Sequence, residues 1–160
     1  NMLGPLVNPA GATGQVLGVF AAELTEMFAC ALRDLGSRRA LIVHGSDGLD
    51  EITCTGPTRV SELRDGSVRT YELTGDLLVG EACDLADLAG GTAEENAAIL
   101  RGVLSGTHGP RRHVVLLNAA AAMIAGEKAD TMEDGLELAR ESIDSGAALD
   151  KVETLIRETQ

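Results

Sequence analysis

From residue 21 to residue 35 the apolar positions Leu24, Met27, Phe28, Ala31, Leu32 and Leu35 recur at the three-and-four spacing of one helix face, and Gly36 is placed to end that helix in a left-handed cap. Shorter apolar runs flank it, residues 15–20 (QVLGVF) and 39–44 (RALIVH), whose β-branched and leucine content suits buried strands. Strand, helix, strand predicts a right-handed parallel unit and therefore an α/β fold, with a central sheet of parallel strands flanked by helices. The polar loop after the second strand, residues 45–51 (GSDGLDE), then lies at a strand's carboxyl end, where open α/β sheets place ligands.

Downstream, three shorter β-like segments are expected around 52–55, 58–63 and 68–73. The turn residues Arg64-Asp65-Gly66 join the last two into a hairpin at one side of the sheet. The remainder is helical. Thr92 with Glu95 forms a capping-box pattern for a helix to about Ser105, stopped by Gly106. Pro110 opens an alanine-rich helix to about Ala125, Asp130 or Thr131 caps a third bearing Leu136, Ala139 and Ile143, and 149–157 forms a last one. At the other end, Gly4-Pro5, Asn8-Pro9 and Gly11 make residues 4–13 a shaped loop rather than regular structure. No repeat or linker divides the chain, so one compact unit is expected.

Composition sharpens this picture. The 160 residues are 44% hydrophobic but include no Trp, one Tyr and two Phe, so the core must be built from Leu, Val, Ile and Ala, small enough to let helices approach closely. A net charge of −12 argues against a nucleic-acid partner or an anionic membrane surface, and means that any phosphate must be met by a metal or by backbone donors. The longest apolar stretch, 114–126, is interrupted by Asn118 and too short to span a bilayer, and the start lacks the pattern of a secretory signal. Cys30, Cys54 and Cys83 are odd in number and far apart, so no disulfide framework or zinc site is expected. They are taken as ordinary small apolar residues in a reducing cytoplasm.

The sharpest chemical feature is the acidic loop. Magnesium prefers octahedral oxygen coordination and is commonly held by one or two carboxylates, with phosphates and waters completing the shell. Asp50 and Glu51 at a sheet's carboxyl edge could take that role, although on spacing alone a loop of this kind, in a chain with 25 acidic residues, is more often plain solvated surface. Gly90-Gly91-Thr92 is read as a helix cap rather than a phosphate cradle, because no following Lys accompanies it. His44, His108 and His113 show no metal spacing. Asn118 is either a packing amide or a residue supporting a site, with packing the simpler role.

In order along the chain, NMLGPLVNPA (1–10), HGSDGLDE (44–51), GGTAEENA (90–97), LLNAAAA (116–122) and IDSGAA (143–148) resemble the conserved segments of anthranilate phosphoribosyltransferases. The resemblance covers essentially the whole chain. It implies a pentosyltransferase of tryptophan biosynthesis, cytoplasmic, magnesium-dependent and dimeric when intact. In that reaction the amino group of anthranilate displaces pyrophosphate from phosphoribosyl pyrophosphate. Asp50 and Glu51 would bind the magnesium that carries the pyrophosphate. Gly4 and Pro5 would line the anthranilate pocket, with Asn8 and Pro9 shaping it from behind. No side chain need serve as a general base, since an aromatic amine is already a usable nucleophile.

The same resemblance implies that the chain is the C-terminal part of the large α/β domain. The glycine-rich pyrophosphate loop, a lysine-histidine-glycine-asparagine segment, the anthranilate-contacting arginine and a small helical dimerisation domain would all precede Asn1, so the chain alone is expected to be inactive. Ala21 departs from the family pattern, standing where a Ser commonly caps the first helix. Asp47 shares the acidic loop without a direct ligand role, and all three loop carboxylates are expected to contribute little to stability. Alternatives are a pyrimidine nucleoside phosphorylase, a non-catalytic nucleic-acid-binding relative, and a stable half that associates with a separate N-terminal half.

Overall fold

The structure is a computed structural model and describes residues 3–159, so the Asn1-Met2 start of the first motif lies outside the described residues. A four-stranded sheet runs in the order β1 (Gly14–Gly18), β2 (Arg39–Gly45), β3 (Pro57–Arg64) and β4 (Ser67–Thr74), which leaves β1 and β4 at its edges. β1 and β2 pair in parallel, with Val16 opposite Leu41, and the crossover between them is α1 (Leu24–Asp34). The expected strand, helix, strand unit is therefore present. The other two pairings are antiparallel, and Asp65 and Gly66 turn the hairpin with φ of 50° and 78°.

α1 begins three residues later than its apolar pattern suggests. Its N-cap position is Glu23 and carries no side-chain cap, while Leu24 N–H bonds Ala21 C=O at 3.1 Å, so residues 21–23 form a tight turn leading into the helix. Near the start of the chain, Gly4–Leu6 forms a short 3-10 turn within the expected loop.

The period of two along β2 divides the core. Leu41 and Val43 face one side with Val60, while Ala40 and Ile42 face the other with Leu63. The second side is covered by α1 through Phe28, Ala29 and Leu32. The first is covered by α4 (Pro110–Ala125) and α5 (Met132–Asp144) through Leu116, Leu117, Ala120, Leu136 and Ala139. A Cβ on Gly135 would lie 2.8 Å from the Ala120 carbonyl oxygen, so these helices meet at a distance that only small residues permit, as the composition implied. The capping box of α3 (Ala93–Leu104) is present at Thr92 and Glu95, and α6 (Ala147–Thr159) contributes no buried residue.

Two expectations are corrected. Residues 52–55 are not a strand. They cross the protein as an irregular strap in which Ile52, Thr53 and Cys54 are nevertheless completely buried. The cysteines are not all free either: Cys54 is bonded to Cys83, 29 residues on, and Cys30 alone remains a thiol. After β4, the short α2 (Gly75–Val79) turns the chain back so that Cys83 N–H meets Cys54 C=O at 3.3 Å. Spacing in sequence carries no record of that approach. Closing a loop of this length restricts the unfolded chain, and reduction by a dithiol or the change Cys83→Ser should cost about 3 kcal/mol. Thermal melting with and without reductant checks this. A fall of roughly 10 °C is expected, and coincident curves would rule the crosslink out.

Candidate active site

The acidic loop leaves β2 at Gly45 and is folded by its own hydrogen bonds. Gly45 N–H donates to Leu49 C=O at 2.8 Å, and Gly48 N–H donates to Gly45 C=O at 3.0 Å. Asp47 is its organiser: Oδ1 accepts Leu49 N–H at 3.1 Å, and Oδ2 accepts the hydroxyls of Thr53 and Thr55, each at 2.6 Å. Thr53 N–H in turn donates to Thr58 Oγ1 at 3.1 Å, which ties the strap to the start of β3. Burial pushes the Asp47 pKa up, but the two hydroxyls and the amide outweigh it and hold the carboxyl below its ordinary value. Asp47 is thus no neutral bystander on an acidic surface, contrary to its sequence reading.

Asp50 and Glu51 are exposed. The Asp50 backbone lies directly over Gly18 at the end of β1, where a Cβ would come 1.8 Å from the Asp50 carbonyl oxygen. A glycine within the strand is therefore what lets the loop fold down onto the sheet edge. Beside this contact is a cavity of about 230 Å³, lined by Pro5, Phe20, Leu24, Phe28 and Asp50 with the end of β1. Pro5 and Asp50, from separate motifs, are thus brought together at the carboxyl ends of the two parallel strands. Gly4, Asn8 and Glu51 do not line the cavity. Asn8 is exposed, and its Oδ1 accepts Ala10 N–H at 3.0 Å in a local turn. Gly18, Phe20, Leu24 and Phe28 were not singled out from the sequence as site residues. The one available hint was an isolated glycine in a strand, which often marks close backbone approach.

The donor set suits a hard cation. Partial burial of its carboxyl, then the neighbouring charge of Asp50, pushes the Glu51 pKa above its ordinary value, a repulsion that a bound divalent ion would relieve. No group of three or more His, Cys, Asp and Glu side chains is arranged for a metal among the described residues, so this pair would share a magnesium shell with other oxygen ligands, as magnesium commonly requires.

Other candidates are already committed. His44 Nδ1–H donates to Val19 C=O at 2.8 Å, stitching the ends of β1 and β2. Gly91 N–H donates to Asn96 Oδ1 at 2.9 Å, so the Gly90-Gly91-Thr92 turn serves its helix. A larger groove, about 670 Å³, lies between β4 and the start of α5, but Arg64 there is paired with Asp130 and Arg69 with Glu62. It sits near the amino end of β2, away from the edge where parallel strands present ligands.

Because folding lowers the Asp47 pKa, its stabilising effect is full above the unfolded carboxylate value of about 3.9 and is lost as pH falls through the lower folded value. Asp47→Ala should therefore cost about 2 kcal/mol or more at neutral pH. Urea unfolding at pH 7 and at pH 3 checks this: the gap between variant and parent should narrow in acid, and a gap that does not change with pH would show that the carboxylate charge is not the source.

A family model described as "Glycosyl transferase family, a/b domain" matches residues 1–149. The anthranilate phosphoribosyltransferase of Desulfatibacillum aliphaticivorans is 56% identical over 160 residues, 100% of this chain and 47% of that protein. That of Syntrophobacter fumaroxidans is 60% identical over 159 residues, 99% of this chain and 47% of its own length. Among solved structures, the Thermus thermophilus enzyme matches with a TM-score of 0.85 at 42% identity, covering 95% of this chain and 45% of the other. The Saccharomyces cerevisiae enzyme in complex with PRPP and Mg matches at 0.81 and 32%, covering 94% and 44%. The chain thus spans about half the length of the curated relatives it matches. The resemblance carried by the five ordered motifs is borne out, and the chain belongs to the glycosyl transferase family through its α/β domain.

Proposed function

We propose that this chain is the C-terminal half of the α/β domain of an anthranilate phosphoribosyltransferase, which transfers the phosphoribosyl group of phosphoribosyl pyrophosphate to anthranilate and releases pyrophosphate. The observation that carries this reading is the shared cavity of Pro5 and Asp50, which puts a residue of the anthranilate-pocket motif beside the acidic pair. The relatives named above act as that enzyme, and yeast structures hold PRPP with Mg in one case and 4-fluoroanthranilate in another.

In this reading Asp50 and Glu51 hold the metal on the leaving pyrophosphate, and the loop built on Asp47 and Gly18 fixes where they stand. Bound magnesium supplies neutralisation of the charge that develops on the leaving group. Pro5, Phe20, Leu24 and Phe28 give the cavity an apolar wall suited to an aromatic ring. His44 Nδ1 and the Asn118 amide are both engaged by backbone groups, and the reaction in this reading is run by positioning and electrostatics. A pyrimidine nucleoside phosphorylase is the less favoured alternative, since the named relatives are all anthranilate enzymes.

In a full-length enzyme carrying this half, Asp50→Ala or Glu51→Ala should lower kcat/KM on the order of 10²-fold. Added magnesium should recover part of the loss by mass action, while the melting temperature changes little because both side chains are exposed. The exposed Glu72 on β4 is the control, since Asp47 is not a neutral one. Steady-state assays across a magnesium series decide it: normal turnover with normal magnesium dependence in the Asp50 and Glu51 variants would end this reading.

A further inference from the structure

Ile52 directly follows the acidic pair and is fully buried, yet it belongs to no strand. Its backbone is instead paired with one side chain. Ile52 N–H donates to Asn118 Oδ1 at 3.0 Å, and Asn118 Nδ2 donates to Ile52 C=O at 2.8 Å, across 66 residues of sequence. The second Nδ2 proton goes to Val114 C=O at 2.9 Å, which locks the amide to its own helix. Two opposed bonds to the same residue restrain both its position and its rotation, as a rung of a β-ladder would. The post that carries the amide is rigid, because α4 is held in the core by Leu116, Leu117, Ala120, Ala121 and Ile124.

We propose that Asn118 is a positioning residue for the metal-binding pair: through the Ile52 backbone it fixes the direction in which Glu51, and with it Asp50, is presented to a magnesium ion and the diphosphate it carries. This rests on the reading that Asp50 and Glu51 hold magnesium. The geometry admits few substitutes. Asp offers no donor toward the Ile52 and Val114 carbonyls, Leu matches the size without either function, and Gln places the amide one methylene too far. On the other side of the pair, the Asp50 backbone rests on Gly18, so the two carboxylates stand on a short span held at both ends. Outer partners of this kind tune metal affinity without touching the metal.

The test uses a full-length enzyme containing this chain, with phosphoribosyl pyrophosphate binding measured by calorimetry at several magnesium concentrations and no anthranilate present. Asn118→Leu should weaken magnesium-dependent binding about 10- to 100-fold. Ile124→Ala, a core change on the same helix away from Ile52, should lower the melting temperature but leave binding at the parent value. If Asn118→Leu binds like the parent while Asp50→Asn is weakened, the positioning role is overturned and the assignment of the pair stands. If Asp50→Asn also binds like the parent, that assignment fails and the proposal with it. Should Asn118→Leu not fold, Asn118→Gln takes its place: weakened binding supports the proposal, and parent-like binding with a lowered melting temperature overturns it.

Discussion

A length of backbone buried without a strand partner must find its hydrogen bonds elsewhere, and the segment from Ile52 to Thr55 shows how much structure that requirement recruits. Its peptide groups are met by the side chains of Asn118, Thr58 and Thr53, and its hydroxyls by Asp47. Apart from Thr53, which lies in the segment itself, each of those side chains comes from a different part of the fold. The strap therefore ties α4, the start of β3 and the acidic loop into one polar network, and the crosslink at Cys54 adds the return from α2. Inside a protein an unmet amide or carbonyl is costly, so such a network holds as a whole.

This explains why the loop can be exposed and yet well defined. Asp50 and Glu51 face solvent, but the backbone on both sides of them is held, by Gly18 beneath and by Ile52 behind. Exposure keeps the carboxylates available to a ligand, and anchoring keeps their placement independent of one. A loop at the carboxyl end of parallel strands gains both properties from its location, since the strands supply the rigid floor and their ends leave the site open.

How legible this was in the sequence follows from the range of each interaction. The parallel unit could be read because α1 and β2 each declare themselves within a dozen residues of regular apolar spacing, and the capping box at Thr92 and Glu95 is more local still. The acidic pair was visible as residue types on a loop that follows a strand. Asp47 was misjudged because its role depends on hydroxyls six and eight residues further on, whose side chains turn back only once the strap is buried. Asn118 could be suspected of an internal hydrogen bond but not matched to Ile52, and Cys54 could not be matched to Cys83, since both matches are set by how distant segments pack. The strap itself was taken for a strand because its composition is that of buried structure. Composition reports burial and leaves open how the backbone is satisfied.

The two edges of the sheet differ in a way that bears on how the chain behaves in isolation. β4 carries exposed Arg69 and Glu72 along its outer rim, the kind of charged side chain that discourages another strand from adding on. β1 reads Gly-Gln-Val-Leu-Gly, without charge or proline, and its residues are only half covered. It is therefore a neutral edge with no further strand beyond it among the described residues. On its own the chain carries a self-association hazard on that one rim, which is governed by concentration more than by thermal stability, and a lysine at Gln15 would be the conservative place to blunt it.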